Sequence, residues 1–328
     1  MKDIAIIGAG AWGTALATLW AKDGRPVSLW GNNAERITRV QSSRENSDYL
    51  PGVRLPDNVL ATRELGNCSG ADLVVFVTPS VALREIAKRV RDAGVKSSST
   101  PLLSCTKGIE HGSGMRMSEI LSVFFPSNPI AVLSGPNLAV EVVQGLPTAT
   151  VIGCANEKYA IDLQRFLGSE HFRVYTSDDV VSIELGGALK NVFAIAAGIT
   201  DGLGLGDNSK AALITRALAE MLRLGTGMGG KARTFYGLSG VGDLIATCFS
   251  THSRNRRVGE RLGRGETLAQ IQSDMKEIPT AKSAFECARR LGVETPIIDQ
   301  VDAVLYHEKP LLSAMQELLG RDPKAERL

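Results

Sequence analysis

The chain has 328 residues, 22% charged and 44% hydrophobic, with a formal net charge of +2. That length supports two domains with sizeable cores, and so even a charge balance excludes bulk attraction to nucleic acid or an anionic membrane as the organising interaction. Five cysteines (Cys68, Cys105, Cys154, Cys248 and Cys287) stand far apart, with no Cys-x-x-Cys pair and no histidine at ligand spacing. This argues against a disulfide framework or a structural zinc and fits a reducing cytosol.

The run Asp3-Ile-Ala-Ile-Ile-Gly8 reads as a short buried strand. Gly8-Ala-Gly10-Ala-Trp-Gly13 follows at once, residues 14–22 read as a helix, and 27–30 as the next strand. This is a βαβ unit with Gly-x-Gly-x-x-Gly at its first turn, the arrangement of a dinucleotide-binding fold. Gly8 permits the tight turn, Gly10 lets backbone approach a pyrophosphate, and Gly13 lets the helix pack on the strand. Together with Ala11 they are candidate cofactor contacts. Ile4 to Ala21 carries no charge and imitates a signal peptide or short membrane span; its interior glycines fit the dinucleotide turn better.

The second strand ends in Trp30-Gly31-Asn32-Asn33, with neither a carboxylate for ribose hydroxyls nor an arginine before Arg36. The amides of Asn32 and Asn33 can bond a hydroxyl or a 2′-phosphate, so this position does not choose between NAD and NADP. Residues 42–58 read as a polar surface loop that closes over the cofactor, with Tyr49 as a contact. Residues 71–79, 102–106, 130–133, 148–154 and 172–175 read as further strands, and 81–93 as an amphipathic covering helix. Ligands of open α/β sheets bind beyond the carboxyl ends of strands, which makes Lys107 and the turn at 134–137 site candidates by position.

From 177 the strand pattern stops. Residues 177–198 read as one long helix, apolar nearly all round and therefore buried. Gly186, Gly187 and Ala188 clear space on it for another backbone or a flat ligand. Glu184, Lys190 and Asn191 are the polar residues within it. A lysine there is under-solvated, and desolvation pushes its pKa down toward the range of a general base. Helices are predicted over 208–224, 242–248, 256–262, 268–275, 281–291, 296–306 and 311–319. Asp243 lies on a glycine-rich turn into one of them. His252-Ser253-Arg254-Asn255-Arg256-Arg257 packs three arginines with hydroxyl and amide donors, a set that suits a phosphate dianion. The expected architecture is an α/β one: a doubly wound Rossmann-type sheet over 1–176, then an all-helical domain over 177–328, with the cleft between them as the ligand site.

These motifs lie in order along nearly the whole chain. The Gly8–Ala17 turn and helix, Thr78-Pro79-Ser80, Cys105-Thr-Lys107-Gly, Leu133-Ser-Gly135-Pro-Asn137, Glu184-Leu-Gly-Gly-Ala-Leu-Lys190-Asn191-Val, Thr234-Phe-Tyr-Gly-Leu-Ser-Gly-Val-Gly-Asp243-Leu and Ser253-Arg254-Asn255-Arg256 resemble bacterial NAD(P)-dependent glycerol-3-phosphate dehydrogenase. The resemblance implies interconversion of sn-glycerol 3-phosphate and dihydroxyacetone phosphate with NAD or NADP, feeding phospholipid synthesis. It implies a cytoplasmic homodimer with no metal and no membrane insertion. By the same resemblance Lys190 is the proton acceptor; Trp12, Lys107, Ala139, Arg254 and Glu277 match cofactor positions; and Lys107, Gly135, Asn137, Asp243, Ser253, Arg254 and Asn255 match substrate positions. The chain departs from the family pattern at Asn32-Asn33, where basic residues are common, at Asn137, where Ser or Thr is common, and at 276–280, which is one residue shorter. Other hydroxyacid dehydrogenases of this layout, and a dinucleotide-sensing regulator without chemistry, are the alternative readings. The presence of Lys107, Lys190 and Asp243 favours the dehydrogenase.

Overall fold

A computed structural model of the chain describes residues 1–94, 99–274 and 280–320, without the side chains of 272–274. Contacts divide it into two compact units, one of Met1–Lys107 with Met115–Val180, the other of Gly108–Gly114 with Val181–Leu328.

The first unit contains β1 (Ile4–Ile7), α1 (Ala11–Ala21), β2 (Val27–Trp30), α2 (Ala34–Ser43), β3 (Val59–Thr62), β4 (Leu73–Phe76), α3 (Leu83–Asp92), β5 (Leu102–Ser104), α4 (Met117–Phe124), β6 (Ile130–Ser134), α5 (Ala139–Val143), β7 (Thr148–Gly153), α6 (Glu157–Leu167) and β8 (Phe172–Ser177). The strands form one sheet in the order β3-β2-β1-β4-β5-β6-β7-β8. The order reverses direction between β1 and β4, and β1 pairs in parallel with both β2 and β4, so the glycine-rich turn after β1 leaves the sheet at its switch point. Side chains alternate between the sheet's faces. Ile4, Ile6, Leu29 and Val75 pack under α1, α2, α5 and α6; Ala5, Ile7, Val74 and Phe76 pack under α3 and α4. Helices on both faces are why the inner strands are unbroken apolar runs.

Several elements differ from the sequence expectation. β6 and β7 are antiparallel, a direction that side-chain periodicity does not encode. β3 was not expected; it is four residues long and Leu60 on it is exposed. Helix α2 was not expected either, and α1 starts at Ala11 rather than 14. The loop 42–58 is not free at the surface. Asn46 is fully buried; its Nδ2 donates to the carbonyl of Ala9 at 3.0 Å and to Thr14 Oγ1 at 2.8 Å. One amide therefore ties the loop to the glycine-rich turn, and Leu50 and Leu55 bury its apolar side.

The second unit contains α7 (Val180–Gly202, whose first residue belongs to the other unit), α8 (Gly206–Gly227), α9 (Ala232–Phe235), α10 (Asp243–Phe249), α11 (Arg254–Gly263), α12 (Leu268–Asp274), α13 (Thr280–Leu291), α14 (Pro296–Tyr306) and α15 (Leu311–Leu319). Helix α7 is long and apolar enough to cross a membrane, but 78% of its most apolar window is buried in the protein. It is the helix that the others pack around. Its crossing with α11 is unusually close. A Cβ on Gly198 would lie 1.9 Å from the carbonyl oxygen of Arg256, and one on Gly259 would lie 1.9 Å from that of Ile195. Only glycine at both positions allows the two backbones to touch.

Against the expected boundaries at 176 and 177, the contact units differ in two respects: the main boundary falls after Val180, and one turn changes sides. The turn 108–114 belongs with the helices. Ile109 enters their core, Arg290 donates to the carbonyls of Ser113 and Gly112 at 3.1 and 3.3 Å, and His111 Nδ1 meets Glu286 Oε2 at 2.9 Å.

Candidate active site

In the first unit the glycines do what their spacing predicts. Gly8 has φ +129°, and a Cβ there would strike the carbonyl oxygen of Val77 at 2.3 Å. A Cβ on Gly13 would lie 1.8 Å from the Gly8 carbonyl oxygen, whereas one on Gly10 would enter open space. Gly10 therefore borders a cradle that a side chain would fill. Ala11 and Trp12 open α1, whose N-terminus has no side-chain cap, leaving its amides for an anion. These features fit a dinucleotide pyrophosphate.

The other candidates in this unit have definite partners. Lys107 Nζ donates to the carbonyl of Gly135 at 3.2 Å. Gly135 has φ +148° and lies so close to β7 that a Cβ would be 3.1 Å from Thr150 Cα. Asn137 Nδ2 donates to Ala149 O at 3.3 Å, and its Oδ1 accepts from Thr150 Oγ1 at 3.0 Å, so its side chain braces the turn against β7. Ala139 is the first residue of α5. Asn33 Oδ1 caps α2 by accepting from Arg36 N at 2.8 Å, and Asn32 Oδ1 accepts from Arg89 at 3.0 Å. Tyr49 lies under Arg36, with 4.7 Å from the guanidinium carbon to the ring centroid.

In the second unit Lys190 is 8% exposed and Asp243 1%. Lys190 Nζ donates to Asp243 Oδ1 at 2.5 Å and to Thr247 Oγ1 at 2.6 Å. Asp243 is thus the buried counter-ion that holds Lys190 in place. Gly186 makes the meeting possible, and of the two expected occupants of its space it is the backbone that comes close. A Cβ there would lie 2.5 Å from the carbonyl oxygen of Ser239, so the space is filled by the backbone of the 238–242 turn, which delivers Asp243 to Lys190. Thr247 was missed in the sequence; its signal is its position four residues after Asp243, one helical turn on.

The basic cluster also sorts itself. Ser253 caps α11, accepting from Arg256 N at 3.2 Å. Arg256 is turned inward, with Nε 2.7 Å from Asp201 Oδ2 and an ion pair to Glu260 at 3.3 Å. It is a structural arginine rather than a phosphate ligand. Lys210 joins the same carboxylate, 2.9 Å from both Asp201 oxygens, with Nζ 4.5 Å from the Phe249 ring centroid. This network anchors the start of α11. Arg254 is exposed on its first turn, and Asn255 Nδ2 donates to Asn191 Oδ1 at 2.9 Å. An arginine, an amide pair and free helix amides at one helix start suit a phosphate. Cys248 lies between the Lys190–Asp243 and Lys210–Asp201 pairs, and burial pushes its thiol up to about 12, so it is not a nucleophile. Glu277 lies outside the described residues.

Comparison with known proteins agrees along the whole chain. The family description "NAD-dependent glycerol-3-phosphate dehydrogenase N-terminus" matches residues 3–160, and the C-terminal description matches 179–316. The chain is 45% identical over 334 residues to glycerol-3-phosphate dehydrogenase (NAD(P)+) of Geobacter metallireducens, covering 99% of each chain. It is 46% identical over 332 residues to the protein so named from Syntrophotalea carbinolica, again covering 99% of each. A crystal structure of glycerol-3-phosphate dehydrogenase from Coxiella burnetii superposes with a TM-score of 0.94 at 38% identity, covering 98% of this chain and 99% of that one. With both family descriptions matched and relatives this similar over their full length, the chain belongs to the NAD-dependent glycerol-3-phosphate dehydrogenase family and is an NAD(P)-dependent oxidoreductase of it.

Proposed function

We propose that this chain interconverts sn-glycerol 3-phosphate and dihydroxyacetone phosphate with Lys190 as the acid–base group. The observation that carries this reading is the buried contact of Lys190 Nζ with Asp243 and Thr247 at 2.5 and 2.6 Å. In oxidation the C2 hydroxyl proton leaves to a neutral Lys190; in reduction the ammonium returns it to the ketone oxygen. Asp243 and Thr247 hold the nitrogen in one place, which is what proton transfer of this kind needs. Arg254, Asn255 and the α11 N-terminus with its Ser253 cap receive the phosphate. Lys107, Gly135 and Asn137 are further substrate contacts in this reading. The dinucleotide, when bound, supplies or accepts the hydride. Gly8, Gly10, Ala11, Trp12 and Gly13 hold its pyrophosphate, and Asn32, Asn33, Tyr49, Lys107, Ala139 and Arg254 contact its remaining parts.

Residues 1–176 then form the dinucleotide-binding domain and 177–328 the substrate-binding and catalytic domain of a cytoplasmic homodimer. Its glycerol 3-phosphate enters phospholipid synthesis. The test is oxidation of NADH and of NADPH by the purified protein with dihydroxyacetone phosphate, against unphosphorylated dihydroxyacetone. Turnover that ignores the phosphate would reject the substrate assignment.

A further inference from the structure

The turn after β2 carries an arrangement that the sequence does not show. A Cβ on Gly31 would lie 3.1 Å from that of Ala9, so Gly31 rests against the glycine-rich turn and Asn32 and Asn33 follow it directly in the chain. In a dinucleotide-binding βαβ unit this is where the adenosine ribose lies. The chain has no carboxylate here, and the Asn33 side chain is spent capping α2.

An arginine arrives from elsewhere. Arg89, on α3 and 57 residues away, donates through Nη1 to Asn32 Oδ1 at 3.0 Å, and its guanidinium carbon lies 5.2 Å from the centroid of the Trp30 ring. Among the described residues it makes no ion pair. The neighbouring arginines differ. Arg36 and Arg39 share Asp48, at 2.9 and 2.6 Å. The Arg36 hydrogen bond foremost holds the Asp48 carboxyl below its usual range, and the Arg36 guanidinium is stacked on Tyr49. Asp48 offsets one of their two charges and holds both guanidiniums. Arg89 is held by a neutral amide and an indole face, which orient a guanidinium without neutralising it. One of its donors is engaged with Asn32, and a guanidinium has four more to offer an anion in a fixed fork.

We propose that Arg89 reads the 2′ position of the adenosine ribose, so that the chain binds the 2′-phosphorylated dinucleotide more tightly than NAD(H), with Asn32 as the residue that positions the guanidinium. This rests on the dinucleotide reading of the Gly8–Gly13 turn.

The test needs no turnover. The ligand-free protein is titrated calorimetrically with adenosine 2′,5′-bisphosphate and with 5′-AMP. The bisphosphate is expected to bind about tenfold or more tightly, the worth of a charge-assisted hydrogen bond to phosphate. Arg89→Gln keeps a donor for Asn32 and is expected to erase that preference while leaving 5′-AMP binding unchanged. Arg36→Gln is expected to keep the preference. Equal binding of the two probes by the unaltered protein overturns the proposal, as does a preference that survives Arg89→Gln or vanishes in Arg36→Gln. In those cases binding of 5′-AMP leaves the dinucleotide site standing. Failure of both probes and of NADH and NADPH to bind rejects that site as well.

Discussion

Replacing Lys190 by methionine separates chemistry from stability in a way the structure makes quantitative. Methionine keeps an unbranched apolar stem on α7 and removes the ammonium. If Lys190 transfers the proton, single-turnover hydride transfer falls by ~10²–10⁴, the usual worth of a positioned acid–base group. The structure adds a second effect. Asp243 is 1% exposed and loses the ammonium 2.5 Å away. Removing one partner of a buried pair costs about 3–5 kcal/mol, which for a protein of this size lowers Tm on the order of 10 °C. Pairing Lys190→Met with Asp243→Asn replaces the stranded charge by a neutral amide and should recover most of that loss. The rate should not recover. The assay is stopped-flow oxidation of NAD(P)H with excess enzyme, beside thermal melts of the single and double variants. Near-normal hydride transfer in Lys190→Met refutes the acid–base role. A double variant no more stable than the single one refutes the assignment of Lys190 as the counter-ion of Asp243.

Arg254→Ala should raise KM for dihydroxyacetone phosphate by about tenfold or more through loss of a charge-assisted contact, with Tm unmoved; an unchanged KM places the phosphate elsewhere. Gly198→Val sets a side chain where even a Cβ would be 1.9 Å from the Arg256 carbonyl. Urea unfolding should show a loss of at least about 1–3 kcal/mol, and KM for the phosphorylated substrate should rise because α11 carries Arg254 and Asn255. Stability equal to the unaltered protein would contradict the close crossing. Glu220, 1% exposed, accepts from Ile297 N and Ile298 N at 2.7 and 3.2 Å at the start of α14, and burial still pushes its carboxyl up to about 7 from 4.5. The folded state therefore favours the protonated form. The resulting stability is fully present below pH 4.5 and is lost as pH rises to about 7, a change of roughly 3 kcal/mol. Glu220→Gln should flatten that slope in urea unfolding across this window; an identical slope in both proteins would show that the group does not titrate there.

What the sequence determined by itself was whatever depends on near neighbours in the chain. The run Ile4–Ile7, its glycine turn and the following helix announce their layout because strand, turn and helix patterns are local. Helices α14 and α15 match the expected 296–306 and 311–319 residue for residue, since proline, glycine and apolar spacing mark their ends. Burial of Lys190 was legible too, from the apolar residues around it. Tertiary structure alone decided how distant groups meet. Strand direction at β6 and β7 follows from the connection, not from side-chain alternation, and β3 is too short and too exposed to stand out. Gly186 offered room for a backbone or a ligand, and folding chose the backbone of the turn that brings Asp243, 53 residues on, to Lys190. Arg256 looked like a phosphate ligand and is spent on Asp201, whereas Arg89, one residue of the expected covering helix 81–93, stands at Asn32. A charged side chain has no preferred partner until folding selects one, because its energy is set by whichever opposite charge, amide or ring the packing brings within a few ångströms.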